Sequence, residues 1–355
     1  NNFVLMKRIV YFVLFVFFAS SCFRNSDVEK SQNHSTNIID VKESVKEIII
    51  DTPLIGGWAR PFIVNDYLLI SDSQSEEKLI SIFDKNNFSY LMGVGDAGEG
   101  PNEITNMGVI VPDEVHHRFF VPDYGKLKVL SYSVDSILKN PFYRPEVKGD
   151  MKELQFPDRF VYVNDTFCIA RSIMIGENKY FQQSLVRWNM LTGEMKLLVE
   201  GHPKVERKRS QFAVSLEHNL IVDCYAHHDL MTIYDLDGNL KYNIYGPYWD
   251  DKTSNDMVYY DAVVICKDKI VAAYAGGRNW SDEGFPNCFQ VYDFDGNYIK
   301  TLNIGRKICN FCYDQELNRL IMVLDNEIQF AYLNLDGLIA VSYTHLRAHE
   351  TLRHL

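Results

Sequence analysis

Beyond its first twenty or so residues the chain has no stretch long and apolar enough to cross a membrane. A basic excess is missing as well: 36 Lys and Arg stand against 47 Asp and Glu, a formal net charge of −11. Nucleic acid is excluded as an expected partner, because a phosphate backbone is bound by a basic face. Cysteine is scarce, seven in 355 residues, and its spacing gives no disulfide framework. Aromatic residues are plentiful at 13%, which suits wide sheets packed face to face.

The pattern is clearest in DLMTIYDLDGNLKYNIYG, Asp229 to Gly246. An apolar run meets Asp237-Gly238, and a second alternating run follows. Asp-Gly accepts the positive φ of a tight primed turn, so the stretch reads as a β-hairpin. NCFQVYDFDGNYIKTLNIG repeats it at Asn287 to Gly305. Weaker copies start at Lys78, Lys126, Ser184 and Glu327. Aligned on Phe83, Tyr132, Trp188, Tyr234, Tyr292 and Tyr332, the copies lie 49, 56, 46, 58 and 40 residues apart. Several strands per period of about 40 to 50 residues is the signature of a propeller blade. The expected fold is all-β, a six-bladed β-propeller.

Upstream, Asn1 to Leu5 read as read-through before Met6. Lys7-Arg8 is a basic start, and Ile9 to Ala19 is an apolar run of eleven residues, about half the length a bilayer's core requires. Ala19-Ser20-Ser21-Cys22 follows. The segment resembles a bacterial lipoprotein signal in which Cys22 is acylated, although Ala19 stands where leucine is usual. Residues 1–22 are therefore read as leader, 23–40 as a flexible tether, 41–337 as the propeller and 338–355 as a non-native tail resembling translated sequencing adaptor.

The hairpins supply the outer two strands of each blade, and apolar runs upstream supply the inner two. Blade 2 has a poor outer strand near Ser136 to Lys139. Blade 6 runs out after three strands, which would leave a row of free amides. Val45 to Asp51, a strand without a blade, is expected to supply its fourth strand and close the ring.

Gly93-Val-Gly95-Asp-Ala-Gly98 matches G-x-G-x-x-G, but Glu99 to Glu103 follow with a proline, two carboxylates and no helical period. A phosphate cradle requires a helix N-terminus there, so the stretch reads as a crossing between blades. Cys309-Asn-Phe-Cys312 lies in a strand, where i and i+3 point to opposite faces, and reads as buried free thiols. Asp72, Asp123, Asp223 and Asp325 each close a second strand; the repetition reads as a turn device, an Asp accepting from amides two residues on. The His116-His117 and His227-His228 pairs read as exposed turn residues. His345 and His349 sit in the excluded tail. No metal, cofactor or catalytic set is expected.

FFVPDYGKLKVLSY and LLISDSQSEEKLISIFD resemble the NHL-type blade. With the lipid signal and the GVGDAGEGPNEI crossing, the chain is similar to the TolB-like six-bladed propeller lipoproteins of Gram-negative bacteria. That resemblance implies a cell-envelope binding or scaffold role, lipid-anchored at the outer membrane. Tyr248, Trp249, Asp250, Arg278, Trp280 and Asp282 fall on one face, with Arg207, Lys208 and Arg209 nearby. Exposed Trp, Tyr and Arg dominate recognition surfaces; equally, the tryptophans could fold under their own loops. The expectation is a monomeric, non-catalytic module binding an envelope protein, peptide or glycan. The alternative is a metal-dependent hydrolase or lyase with an axial ion, which requires three or more Asp, Glu, Asn or His ends at the funnel.

Overall fold

Apolar runs of about five or six residues, cut by Asn, Asp and Gly, set where strands form and stop. The computed structural model describes residues 28–32, 37–140, 142–153, 155–175, 181–206, 208–252 and 254–339. The leader, Cys22, Arg207 and the tail from residue 340, with His345 and His349, lie outside them.

The described strands form six sheets. From inner to outer, blade 1 is Arg60–Val64, Tyr67–Ser71, Ile80–Asp84 and Tyr90–Val94. Blade 2 is Val111–Asp113, Arg118–Asp123, Lys128–Ser133 and Glu146–Asp150. Blade 3 is Gln155–Asn164, Phe167–Ile175, Phe181–Trp188 and Met195–Val199. Blade 4 is Ser210–Ser215, Leu220–Tyr225, Leu230–Tyr234 and Leu240–Tyr245. Blade 5 is Met257–Cys266, Lys269–Arg278, Cys288–Tyr292 and Tyr298–Asn303. Blade 6 is Ile308–Asp314, Arg319–Leu324, Phe330–Asn334 and, from the front of the domain, Val45–Glu47.

That last strand closes the ring as expected. It runs antiparallel to Phe330–Asn334, placing Val45 opposite Leu333 and Glu47 opposite Ala331. The Ile48 amide donates to the Phe330 carbonyl at 2.8 Å. Every neighbouring pair of blades shares an apolar cluster, including the pair at the seam. There Ile63, Leu68, Ile70 and Phe83 of blade 1 meet Ile321, Val323 and Phe330 of blade 6, with Ile48 among them. Middle strands are buried on both faces, and each fully buried Leu or Ile contributes about 1.5–3 kcal/mol.

The chain departs from expectation in four places. Residues 136–139 are not an outer strand; Val134–Lys139 is a helix whose Val134 and Ile137 bury at i, i+3. The Ser133 hydroxyl caps it by accepting from the Ser136 amide at 3.3 Å. Within the stretch expected to be a tether, Glu29–Ser31 and Ile38–Asp40 pair in parallel with the outer strands of blades 4 and 5. Main-chain pairing to an open edge requires no apolar pattern, so a polar segment can do it. The hairpin turns are also longer than a two-residue primed turn. Gly238 has φ 85° and Gly296 has φ 76°, while the residue before each is not left-handed. Asp235 and Asp293 organise these loops by accepting from the Asn239 and Asn297 amides at 2.8 Å. Lastly, a bulge between Ile308 and Asn310 turns Cys309 into the cluster that Cys312 also packs against, so the two do not face opposite ways.

Closure can be tested by shortening the chain. A domain beginning at Pro53 should melt roughly 10 °C or more below one beginning at Val41 by calorimetry. Equal melting would mean the ring holds without its borrowed strand.

Candidate functional site

Each inner strand starts at the face carrying the blade-to-blade crossings, so its first residues line the mouth of the axis there. At the axial mouth the chain through each blade's inner strand reads RPFIV from Arg60, VIVPD from Val109 just ahead of its strand, and, from within the longer strands, RFVYV from Arg159, QFAVS from Gln211, DAVVI from Asp261 and NFCYD from Asn310. The first residue of each lines one cavity of about 250 Å³, with Trp58, Arg171 and Phe311 also in its wall. Five blades of six thus place a polar side chain in the same slot.

Arg159 donates to Gln211 Oε1 at 3.1 Å, and Arg171 donates to the same oxygen at 3.2 Å. Arg171 is held from behind by Asp158 through its Nε at 2.9 Å, and it also donates to the Ser210 carbonyl. Asn310 Nδ2 donates to the Ala59 carbonyl at 3.1 Å. Burial brings the Arg159 guanidinium down to about 10, helped by the like charges of Arg171 and Arg60. Water reaches Asp261, yet its enclosure raises the carboxyl above the ordinary range while Arg60 and Arg159 pull it back. Among the described residues neither Arg60 nor Asp261 belongs to an ion pair. Three guanidiniums against two carboxylates leave the axis positive in an acidic chain, a field that draws anions.

The charge of this set comes mainly from arginine; of the Asp, Glu, Asn or His ends that an axial metal would require in threes, the slot holds Asp261 and Asn310. Among the described residues no group of three His, Cys, Asp or Glu is placed to hold a metal.

The six residues read from sequence share the crossing face but divide in character. Tyr248 is 62% exposed and Trp280 is 96% exposed. Trp280 has φ 63°, an uncommon conformation for an aromatic, and its amide donates to Asn279 Oδ1 at 3.0 Å. Arg278 and Asp250 are exposed, and Asp282 pairs with Lys307 at 2.8 Å. Trp249 instead folds inward against Tyr245, His202 and His228, with ring centroids 5.0, 5.4 and 5.7 Å away. His228 is 3% exposed and His227 half-buried, so that pair is not an exposed turn; Nδ1 of each meets a backbone carbonyl. Lys208 is buried against Asp223 at 2.5 Å, while Arg209 stays exposed. Phe285, on the loop that carries Trp280, lies 6.3 Å from Trp58 in the axial wall and takes the Lys307 ammonium on its face. Of the exposed face, Phe285 thus reaches the axial wall, while Tyr248 lines a different cavity, between blades 4 and 5.

The remaining motifs are structural. The Glu103 carboxylate accepts from the Gly100 amide at 2.7 Å, and a Cβ on Gly98 would fall 2.1 Å from it. A side chain of the protein already fills the glycine-rich cradle. Of the four aspartates, Asp72 and Asp123 accept from Gln74 and Gly125 two residues on, each at 3.0 Å, as expected, whereas Asp223 lies inside the strand Leu220–Tyr225 and pairs with Lys208. Asp72 and Asp123 also bind Gly56 and Asn106 of the incoming crossing, pinning it to its blade. His116 lies by Asp113 at 2.9 Å on the opposite face, with His117 exposed beside it. The six cysteines among the described residues are free thiols, and burial pushes Cys309 up to about 11.

A second cavity of about 250 Å³ opens between blades 4 and 5, lined by Asp229, Gln290 and several tyrosines. Burial raises the Asp229 carboxyl to about 6.

Fold and axial cavity together define a six-bladed β-propeller with a ligand-sized, positively charged mouth. A family model described as a 6-bladed beta-propeller, DUF5128, matches residues 29–143. No curated protein matches the chain. Among solved structures, a member of the DUF4221 family from Bacteroides vulgatus is similar at TM-score 0.57 and 11% identity, covering 81% of this chain and 94% of its own. A putative exported protein from Bacteroides fragilis gives TM-score 0.52 and 12% identity over 86% and 97%. A calcium-binding regucalcin from Agrobacterium tumefaciens gives TM-score 0.51 and 10% identity over 84% and 94%. At such identities the likeness is one of fold.

Two measurements check this geometry. Trp249→Ala should lower stability by about 2 kcal/mol in urea unfolding, against under ~0.5 for Trp280→Ala; equal losses would contradict the packing described. Asp229 has a raised folded pKa, so its contribution is full below its ordinary value of 3.8 and lost as pH climbs through about 6. Asp229→Asn should therefore exceed the parent by roughly 2–3 kcal/mol at pH 8, with the gap closing between pH 6 and pH 4. A gap independent of pH would show that the carboxyl is not perturbed.

Proposed function

We propose that this chain is a lipid-anchored propeller of the cell envelope that binds a carboxylate-bearing ligand, a peptide segment or a glycan, on its crossing face without chemistry. The observation that carries the reading is the slot shared by the inner strands. It sets Arg60 and Arg159 round one cavity, with Arg171 behind, in a chain of net charge −11. Guanidinium groups bind carboxylates through paired, charge-assisted hydrogen bonds, and a walled cavity strengthens them. Trp58 in the wall, with Phe285 against it, supplies aromatic surface for the rest of the ligand. The envelope location, Cys22 as lipid site and the TolB-like, NHL-type character rest on the sequence. The exported protein with this fold agrees with that location.

The alternative is a hydrolase or lyase with an axial metal. It draws on the calcium-binding regucalcin and on Asp261 and Asn310 as oxygen donors in the ring. Arg60 and Arg159 oppose it, since both place positive charge beside Asp261, where a divalent cation would have to sit.

Isothermal titration with a short polyglutamate peptide and with oligogalacturonate, at low and moderate salt, tests the proposal. At least one should bind, more weakly as salt rises. Arg60→Ala and Arg159→Ala should each weaken it by about tenfold. Calcium or zinc that survives dialysis at one equivalent, with no acidic probe bound, would replace this reading with the metal one.

A further inference from the structure

The cavity between blades 4 and 5 is separate from the axis. Its wall includes Asp229, Tyr260, Tyr274, Gln290 and Tyr292, with Gln32 of the N-terminal segment along one side. Asp229 is 1% exposed. One of its oxygens, Oδ2, accepts from the Tyr248 amide at 3.0 Å. The other, Oδ1, has no hydrogen-bond partner in the structure. The Tyr274 hydroxyl lies beside the carboxylate, a neutral donor that leaves the charge without a counter-ion. No Lys, Arg or His among the described residues forms an ion pair with Asp229. The position is built to hold it there: a Cβ on Gly246 would fall 2.1 Å from the carboxylate, so only glycine leaves room.

A buried carboxylate with an unmet oxygen and no counter-ion is costly, and the missing group must be a donor. The neighbouring hydroxyls narrow its nature. Tyr292 donates to Gln290 Oε1, and Tyr260 lies 3.1 Å from the Tyr292 hydroxyl. With Tyr292's proton on Gln290, Tyr260 donates to Tyr292 and its own oxygen is left to accept. The cavity therefore offers acceptors at Asp229 Oδ1 and Tyr260 Oη, one of them charged, among tyrosine rings that favour a cation.

We propose that this cavity is a binding site for a small primary ammonium group, carried by a free amine or by a lysine side chain of a peptide. The ammonium sits against Asp229 Oδ1, with Tyr260 accepting a second N–H and the tyrosine rings enclosing its carbon stem. A volume of about 250 Å³ admits a short aliphatic amine or the end of one lysine side chain.

The test uses the described domain at pH 8 and constant ionic strength, with ethylammonium, its neutral counterpart ethanol, and an N-acetyl-lysine methylamide. Ethylammonium should shift the tyrosine ring resonances saturably and raise the melting temperature, and ethanol should do neither. If the lysine derivative binds as well, the source is a peptide side chain; if only ethylammonium binds, it is a free amine. Asp229→Asn should weaken binding at least tenfold. Tyr260→Phe keeps the ring and removes the acceptor, and should weaken it several-fold, which serves if the Asn variant fails to fold. No saturable binding up to 100 mM, equal binding by ethanol, or undiminished binding by both variants would overturn the proposal. Arg60→Ala should bind ethylammonium as the parent does, which separates this site from the axial one.

Discussion

A propeller holds only when its first and last blades are locked together, and here three residues from the front of the domain supply that lock. Val45–Glu47 satisfies the amides of Phe330–Asn334, and Ile48 drops into the apolar seam between blades 6 and 1. No blade could bury its two faces alone, since the apolar clusters lie between blades and not within them. Closure therefore does more than protect an edge. It brings inner strands that are up to 250 residues apart in sequence to one axis, where Arg60 of the first blade faces Asn310 of the last.

Charge is sorted by the same geometry. Carboxylates outnumber cations in the chain, but many are committed to local work. Asp72 and Asp123 hold the crossings against their blades, Asp235 and Asp293 shape the outer hairpins, and Asp314 pairs with Arg319 at 3.0 Å in the inner hairpin of blade 6. What is left at the axis is a cationic cluster backed by Asp158. Between blades 4 and 5 the balance reverses, and Asp229 stands without a cation. One wheel thus presents two cavities of opposite sign.

Much of the wheel was legible in the chain because apolar runs in a propeller are buried on both faces and read as such. The third strand of blade 4, Leu230–Tyr234, matches its apolar run residue for residue. Where local preference decides instead, the reading failed. VDSILK has strand-like residues but buries Val134 and Ile137 at helical spacing. Glu29–Ser31 forms a strand through main-chain bonds that leave no trace in side-chain pattern. The site was less visible. Trp249 and Trp280 look alike in sequence, and it is the Tyr245, His202 and His228 rings around Trp249 that distinguish the packed one from the exposed one. The axial slot was visible as a polar residue opening RPFIV, RFVYV, QFAVS, DAVVI and NFCYD. It passed unread because arginine is no metal donor.

The central claim is that closing the ring builds a cationic mouth for carboxylates. A crystal structure of the domain grown with an acidic oligosaccharide tests it most directly. The account predicts a ligand carboxylate bridging Arg60 and Arg159 at hydrogen-bond distance, with Trp58 alongside. A metal ion seated on Asp261 and Asn310, or the ligand bound away from the axis, would contradict it.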